Sequence, residues 1–188
     1  GSWTSQESIA ACLLTGAGAA EIRDGNGNLR PPINNYMPMD FVDLDSDGST
    51  FQSTPATLDI PAGSTVLWAG LHWNAATDVP SAPQLYGSTY EAAPPNVADR
   101  FRVRFTTPAS GSSIPLDASP ADGTTRDTWD DTNAGGTTSY GAFVDVTAQV
   151  RAGGAGRYGV ADVQSCQGFG GCFGSWSLTV AYANRALP

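Results

Sequence analysis

The stretch MDFVDLDSDGSTF carries Asp43, Asp45 and Asp47 at alternate positions ahead of Gly48, with Asp40 just upstream. Carboxylates at that spacing, followed by a glycine that lets the chain turn, are how a loop wraps oxygen ligands around calcium. The twelfth position of a helix-loop-helix calcium loop would hold a glutamate, but here it is Thr54, and no flanking helix pattern is present. That specific motif is therefore absent. An aspartate-rich turn between two strands accounts for the same residues without a metal.

A second cluster, RDTWDD, sets Trp129 beside Asp130 and Asp131 in a polar stretch. An indole next to carboxylates can stack and hydrogen-bond a sugar ring if it faces water, or it can plug the end of a sandwich. Tyr90 lies in the proline-rich segment 75 to 99, which is long enough to act as a binding surface together with Tyr86. Hydrolytic chemistry is poorly supplied. Glutamates occur only at positions 7, 21 and 91, and the carboxylate pair a glycosidase needs would have to come from Asp127 and Asp130, neither in an apolar setting that raises a pKa. His72, the only histidine, lies in an apolar strand without a G-x-S-x-G motif near it, so no catalytic residue is assigned.

Cys166 and Cys172 close the loop CQGFGGC, whose three glycines let the two Cα atoms approach to bridging distance, so a disulfide is expected. The rival reading, a zinc half-site, lacks a second Cys/His pair. Cys12 is then buried and free, or paired outside the chain. A stable disulfide implies an oxidising compartment, and with no signal peptide visible a leader removed upstream is expected. The net charge is -9, from 18 acidic residues and 9 arginines. Such a surface repels phosphate backbones and anionic lipid, so nucleic acid is excluded as a general partner. No apolar run is long enough for a membrane-spanning helix.

These residues must be held by strands. TVLWAGLHWN, residues 65 to 74, is apolar almost throughout and reads as a central strand buried on both faces, with Trp68 and Trp176 in the core. ATLDIPAG alternates Ala56, Leu58 and Ile60 and turns at Pro61 to Gly63 into that strand, predicting a tight pair. RFRVRFTT has the cleanest alternation, with Phe101, Val103 and Phe105 inward and Arg100, Arg102 and Arg104 outward, where they are expected to pair with the chain's own aspartates. Residues 108 to 138 read as a polar loop. Strands are expected at 140 to 146, 157 to 163 and 174 to 182, with a helical turn begun by Asp145 or Thr147. Residues 3 to 20 lean to strand and 23 to 38 to surface loop. The fold class is all-β, a jelly-roll-like β-sandwich with long loops and at most short helical turns. It forms one domain over 1 to 188, with 1 to 35 irregular or partly appended.

The order of TFQSTPATLDIPAGSTVLWAGLHWNA, FVDVTAQVRAGGAGRYGVADVQ and GSWSLTVAY resembles the N-terminal β-sandwich of large secreted bacterial surface proteins of actinobacterial type, adhesin-like proteins in which this domain precedes immunoglobulin-like repeats. The resemblance covers roughly residues 36 to 182. It implies an extracellular cell-surface location, a parent chain that continues into further domains, and a surface ligand, glycan or protein, on a host or neighbouring cell. The leading expectation is a non-catalytic binding or adhesion module, with calcium as a candidate stabilising ion and glycan as a candidate ligand. A structural cap or spacer of a repeat array and a glycoside-processing enzyme are the alternatives.

If calcium fills the aspartate loop, it binds the native chain and not the unfolded one, so stability rises by about 2.7 kcal/mol at a hundredfold excess over the dissociation constant. The expected result is a higher melting temperature in millimolar calcium than in chelator, lost in Asp45→Ala. Coincident curves would leave the aspartates as a turn.

Overall fold

The computed structural model describes residues 5–9, 22–23, 29–30, 41–78, 90–118, 126–131, 138–168 and 172–186. Two antiparallel sheets form a sandwich. The described residues hold thirteen strands: β1 (Ser5–Ile9), β2 (Ile22–Arg23), β3 (Leu29–Arg30), β4 (Ser53–Leu58), β5 (Thr65–Asp78), β6 (Tyr90–Ala92), β7 (Arg102–Thr106), β8 (Ile114–Asp117), β9 (Arg126–Asp131), β10 (Thr138–Asp145), β11 (Gly156–Ala161), β12 (Gln167–Gly168) and β13 (Gly174–Ala183). One sheet runs β1-β13-β5-β10-β9 and the other β4-β11-β7-β8; β12 pairs with β6, and β2 with β3. The all-β sandwich read from the sequence is the fold observed.

The long strand β5 lies at the centre of the five-stranded sheet, but only one of its faces is in the core. Ala69, Leu71, Trp73 and Ala75 are buried. They face inward beside their register partners Val180, Leu178 and Trp176 on β13 and Val144, Ala142 and Tyr140 on β10. Leu58, Val103, Phe105, Leu116, Tyr158 and Val160 close the core from the opposite sheet. The polar tips of three large core residues are satisfied: Trp73 Nε1 donates to the Arg100 carbonyl at 3.0 Å, Trp176 Nε1 to Thr54 Oγ1 at 2.8 Å, and the Tyr158 hydroxyl to the Gly154 carbonyl at 2.7 Å. Buried indoles and phenols need such partners. The expectation of a doubly buried strand is corrected, because Trp68 is half-buried and His72 exposed. They belong to the alternate set that faces away from the core.

The turn at Pro61 to Gly63 does not make a hairpin. Its Ser64 N–H donates to the Pro61 carbonyl, and Gly63 takes φ of 78°, but β4 and β5 lie in different sheets. The partner of β4 is β11, so this segment is a crossover. Residues 108 to 138, read as loop, contain β8 and β9. The segment read as loop from 75 is still strand up to Asp78.

Where β10 ends at Asp145, the edge of β5 would be left unpaired over its first residues. The helix α1 (Thr147–Gly153) covers it. Thr147 Oγ1 accepts from Ala69 N–H at 2.9 Å, and Arg151 donates to the carbonyls of Val66 and Leu67, each at 2.9 Å. Backbone groups that lack a strand partner are thus paired by side chains. Asp145 accepts from Thr147 N–H at 2.8 Å and starts the turn, as its position suggested. At the far end of β5 the disulfide Cys166–Cys172 is buried against Ala76, whose N–H donates to Phe173 and whose carbonyl accepts from Cys166.

The two faces of β5 predict different costs for its two indoles. Trp73→Ala should destabilise by about 3–5 kcal/mol, the range for a large aromatic in a packed core, and Trp68→Ala by about 1–2 kcal/mol, since part of its surface is already outside. Denaturant unfolding of both variants measures this, and a larger loss at Trp68 would reverse the assignment of the faces.

Candidate functional site

The outward set of β5 reads Trp68, Gly70, His72, Asn74. With Phe143 on β10 and Ser175 and Ser177 on β13 these residues form a groove of about 790 Å³ on the outer face of the five-stranded sheet. Register assembles it: His72 lies between Phe143 and Ser177, and Asn74 between Gly141 and Ser175.

Its floor depends on a missing side chain. A Cβ at Gly70 would lie 2.5 Å from Trp68 Cη2 and 2.6 Å from Phe143 Cε2, so both rings occupy the space that any other residue would need. The two rings stack beside the glycine backbone, at 18° with centroids 6.1 Å apart. His72 continues the row, its ring centroid 4.7 Å from that of Phe143. The Asp145 carboxyl, opposite Gly70 in the register, is held below its ordinary pKa, first by the Thr147 hydroxyl, then by the Thr147 N–H, the Trp68 indole and Arg151. The aromatic row is therefore packed from below. Beside it, Ser175 donates a short hydrogen bond to Asn74 Oδ1.

Among the described residues, none that lines the groove carries a formal charge at neutral pH. His72 is exposed at its edge, yet the neighbouring rings remove enough water to push its pKa down from 6.5. The imidazole stays neutral.

The residues singled out in the sequence are dispersed. Asp40 and Cys12 lie outside the described residues. Asp43, Asp45 and Asp47 are exposed or half-buried and turn onto their own loop: Asp43 accepts from Ser53 Oγ at 2.8 Å, Asp45 from Asp47 N–H at 2.8 Å, and Asp47 from the Ser49 hydroxyl at 2.7 Å. The Ser49 hydroxyl foremost, and then the Ser49 N–H, lower the Asp47 pKa. Among the described residues no group of three or more His, Cys, Asp or Glu side chains is arranged to hold a metal. Asp162, at φ of 65°, accepts from Phe51 N–H at 3.1 Å and pairs with Arg104 at 3.4 Å. Burial chiefly raises its pKa, and the charges of Asp45 and Asp47 add to the rise. Arg102 bridges Asp99 at 2.8 Å and Asp117 at 3.0 Å. The pairing with aspartates expected of the three arginines is observed for Arg102 and Arg104, whereas Arg100 precedes β7, half-buried, with its guanidinium over the Phe101 ring at 4.5 Å and donating to the Val97 carbonyl at 3.2 Å.

Trp129, Asp130 and Asp131 are on β9, an edge strand rather than a loop, opposite Gly141, Tyr140 and Ser139 in the register. Trp129 thus has its register partner in the groove's lining. Tyr90 is on β6, paired with Gly168 in a separate two-stranded sheet, and does not join that set. The groove residues Asn74, Phe143, Ser175 and Ser177 were not singled out in the sequence, and Trp68 only as a core residue. The signal was the alternation of Trp68, Gly70, His72 and Asn74 with Ala69, Leu71, Trp73 and Ala75, which marks a second, non-core face.

No family model, curated protein or solved structure matches the chain. The resemblance to adhesin-like surface domains rests on the quoted motifs alone.

The lowered pKa of His72 makes stability depend on pH in one direction. The unfolded chain takes up the proton first, so stability is lost as pH falls from about 6.5 towards the lower folded-state value. Between about pH 7.5 and pH 5 the melting temperature of the parent should fall further than that of His72→Gln. Equal falls would assign the dependence to other groups.

Proposed function

We propose that the chain is a non-catalytic extracellular binding or adhesion module of a larger cell-surface protein, and that its ligand sits in the groove on the outer face of the five-stranded sheet. The observation that carries this reading is the aromatic row over Gly70. Trp68 and Phe143 keep apolar surface on the outside of a sandwich whose core already holds Trp73, Trp176, Tyr140 and Tyr158. Rings fixed in place and flanked by hydrogen-bonding groups suit recognition, because little freedom is lost on binding. The buried disulfide fits an oxidising, extracellular setting. No helix among the described residues is long and apolar enough to cross a membrane. The aspartate loop enters the proposal only as a stabilising cation site, which the calcium melting comparison decides.

The groove can be filled without touching the core. Ser177→Trp puts a large ring opposite His72, and Thr57→Trp puts the same ring on an exposed position of β4 in the other sheet. Binding of labelled protein to intact cells and to extracellular matrix should be lost in Ser177→Trp and kept in Thr57→Trp, with both variants melting like the parent. Equal binding by the two would remove the groove from the proposal. No binding by the parent itself would favour the cap or spacer.

A further inference from the structure

We infer that the groove's ligand is an uncharged pyranose unit of a glycan, seated with one ring face on the Trp68 and Phe143 surface and its hydroxyls towards His72, Asn74, Ser175 and Ser177. This names the ligand class of the site just proposed and rests on that reading.

Four observations lead to it. The first is shape. Trp68 and Phe143 stack at 18° beside the bare backbone of Gly70, so the apolar part of the groove is ring surface held in one orientation. A flat aromatic surface receives a flat apolar partner. The C–H face of a pyranose is one, whereas a branched aliphatic side chain would need a pocket to be surrounded.

The second is the arrangement of polar groups. Asn74 and Ser175 are cross-strand partners, as are His72 and Ser177, so amide, imidazole and hydroxyl groups stand in rows beside the aromatic surface. They supply both donors and acceptors. A ligand with an apolar face and a polar rim satisfies both halves of the groove, and a purely apolar ligand would strand the polar rows.

The third is charge. The groove's lining residues bear no formal charge at neutral pH, and the chain as a whole carries -9. Uronates, sialic acids and sulfated sugars would meet a repelling field, with no cation among the described lining residues to offset it. A neutral sugar meets no such field.

The fourth excludes strand addition. Each strand beneath the groove is paired on both sides: β13 with β1 and β5, β5 with β13 and β10, β10 with β5 and β9. Their backbone groups are already committed to the sheet, so an extended peptide cannot join here as a further strand. Recognition has to come from side chains.

The test is a titration of the full chain followed by the Trp68 indole N–H and the His72 and Ser177 amide resonances. The probes are methyl glycosides and disaccharides of glucose, galactose, mannose and N-acetylglucosamine, then glucuronate, galacturonate and N-acetylneuraminate, then a short leucine- and tryptophan-containing peptide. At least one neutral saccharide should shift these resonances saturably, and its uronate should bind about tenfold more weakly. Phe143→Tyr should keep the binding. Phe143→Leu, which keeps apolar volume but loses the flat ring, should weaken it about tenfold. Saturable shifts from the acidic sugars or the peptide, with none from the neutral sugars, overturn the saccharide assignment and leave the groove as the seat. So do shifts from no probe if Ser177→Trp still abolishes cell binding. If no probe shifts these resonances and Ser177→Trp binds cells like the parent, both assignments fall. Equal saccharide affinity in Phe143→Leu and Phe143→Tyr rejects stacking on the ring as the mode of recognition.

Discussion

Everything in this sandwich depends on the period of two along β5. The strand is hydrogen-bonded along both edges, and each of its residues belongs either to the core or to the outer face. A slip of one residue against β13 would carry Trp73 and Leu71 outward and His72 and Asn74 inward. The slip is opposed from both sides of the sheet. Trp73 is anchored by the Arg100 carbonyl, and Gly70 must stay where two rings need its backbone bare. Core packing and groove geometry therefore constrain the same register, and neither can change alone.

The amino-acid pattern revealed those parts of the molecule that are decided locally. RFRVRFTT and GSWSLTVAY alternate without interruption, and both contain strands that bury Val103 and Phe105, and Trp176, Leu178 and Val180, as expected, with Phe101 and Tyr182 half-buried at the ends. The disulfide was legible because the CQGFGGC loop allows the bridge by itself. The pairing of β4 was not legible, because a turn at Pro61 to Gly63 serves a hairpin or a crossover equally well, and the choice is made by β11, about a hundred residues away. The groove was hidden for a different reason. Trp68 beside Val66 and Leu67 looks like more core, and a glycine whose role is to leave room gives no sign in composition that two rings will fill it.

The aspartates and arginines show how the fold distributes charge. The acidic loop at Asp43 to Asp47 meets the four-stranded sheet where Arg104 and Asp162 lie, and the chain tolerates a left-handed aspartate at 162 because its carboxylate takes up the Phe51 N–H and the Arg104 guanidinium together. Exposed ion pairs of this kind add little stability singly. Their effect is to keep the arginine stripe on β7 engaged within the chain, so the neutral groove on the opposite sheet has the molecule's acidic field around it.

The antiparallel ladder between β13 and β5 also has a mechanical meaning. It runs unbroken in pairing from Gly174 opposite Ala75 to Ala183 opposite Thr65, with a single bulge at Ala181 and Tyr182. Ladder hydrogen bonds lie across the strands, so a pull along β13, resisted by a ligand held over β5 and β10, would load them together in shear and not one after another as in peeling. The strand pair that builds the groove is in that sense also its tether, able to pass tension from a bound surface directly into the backbone of β13.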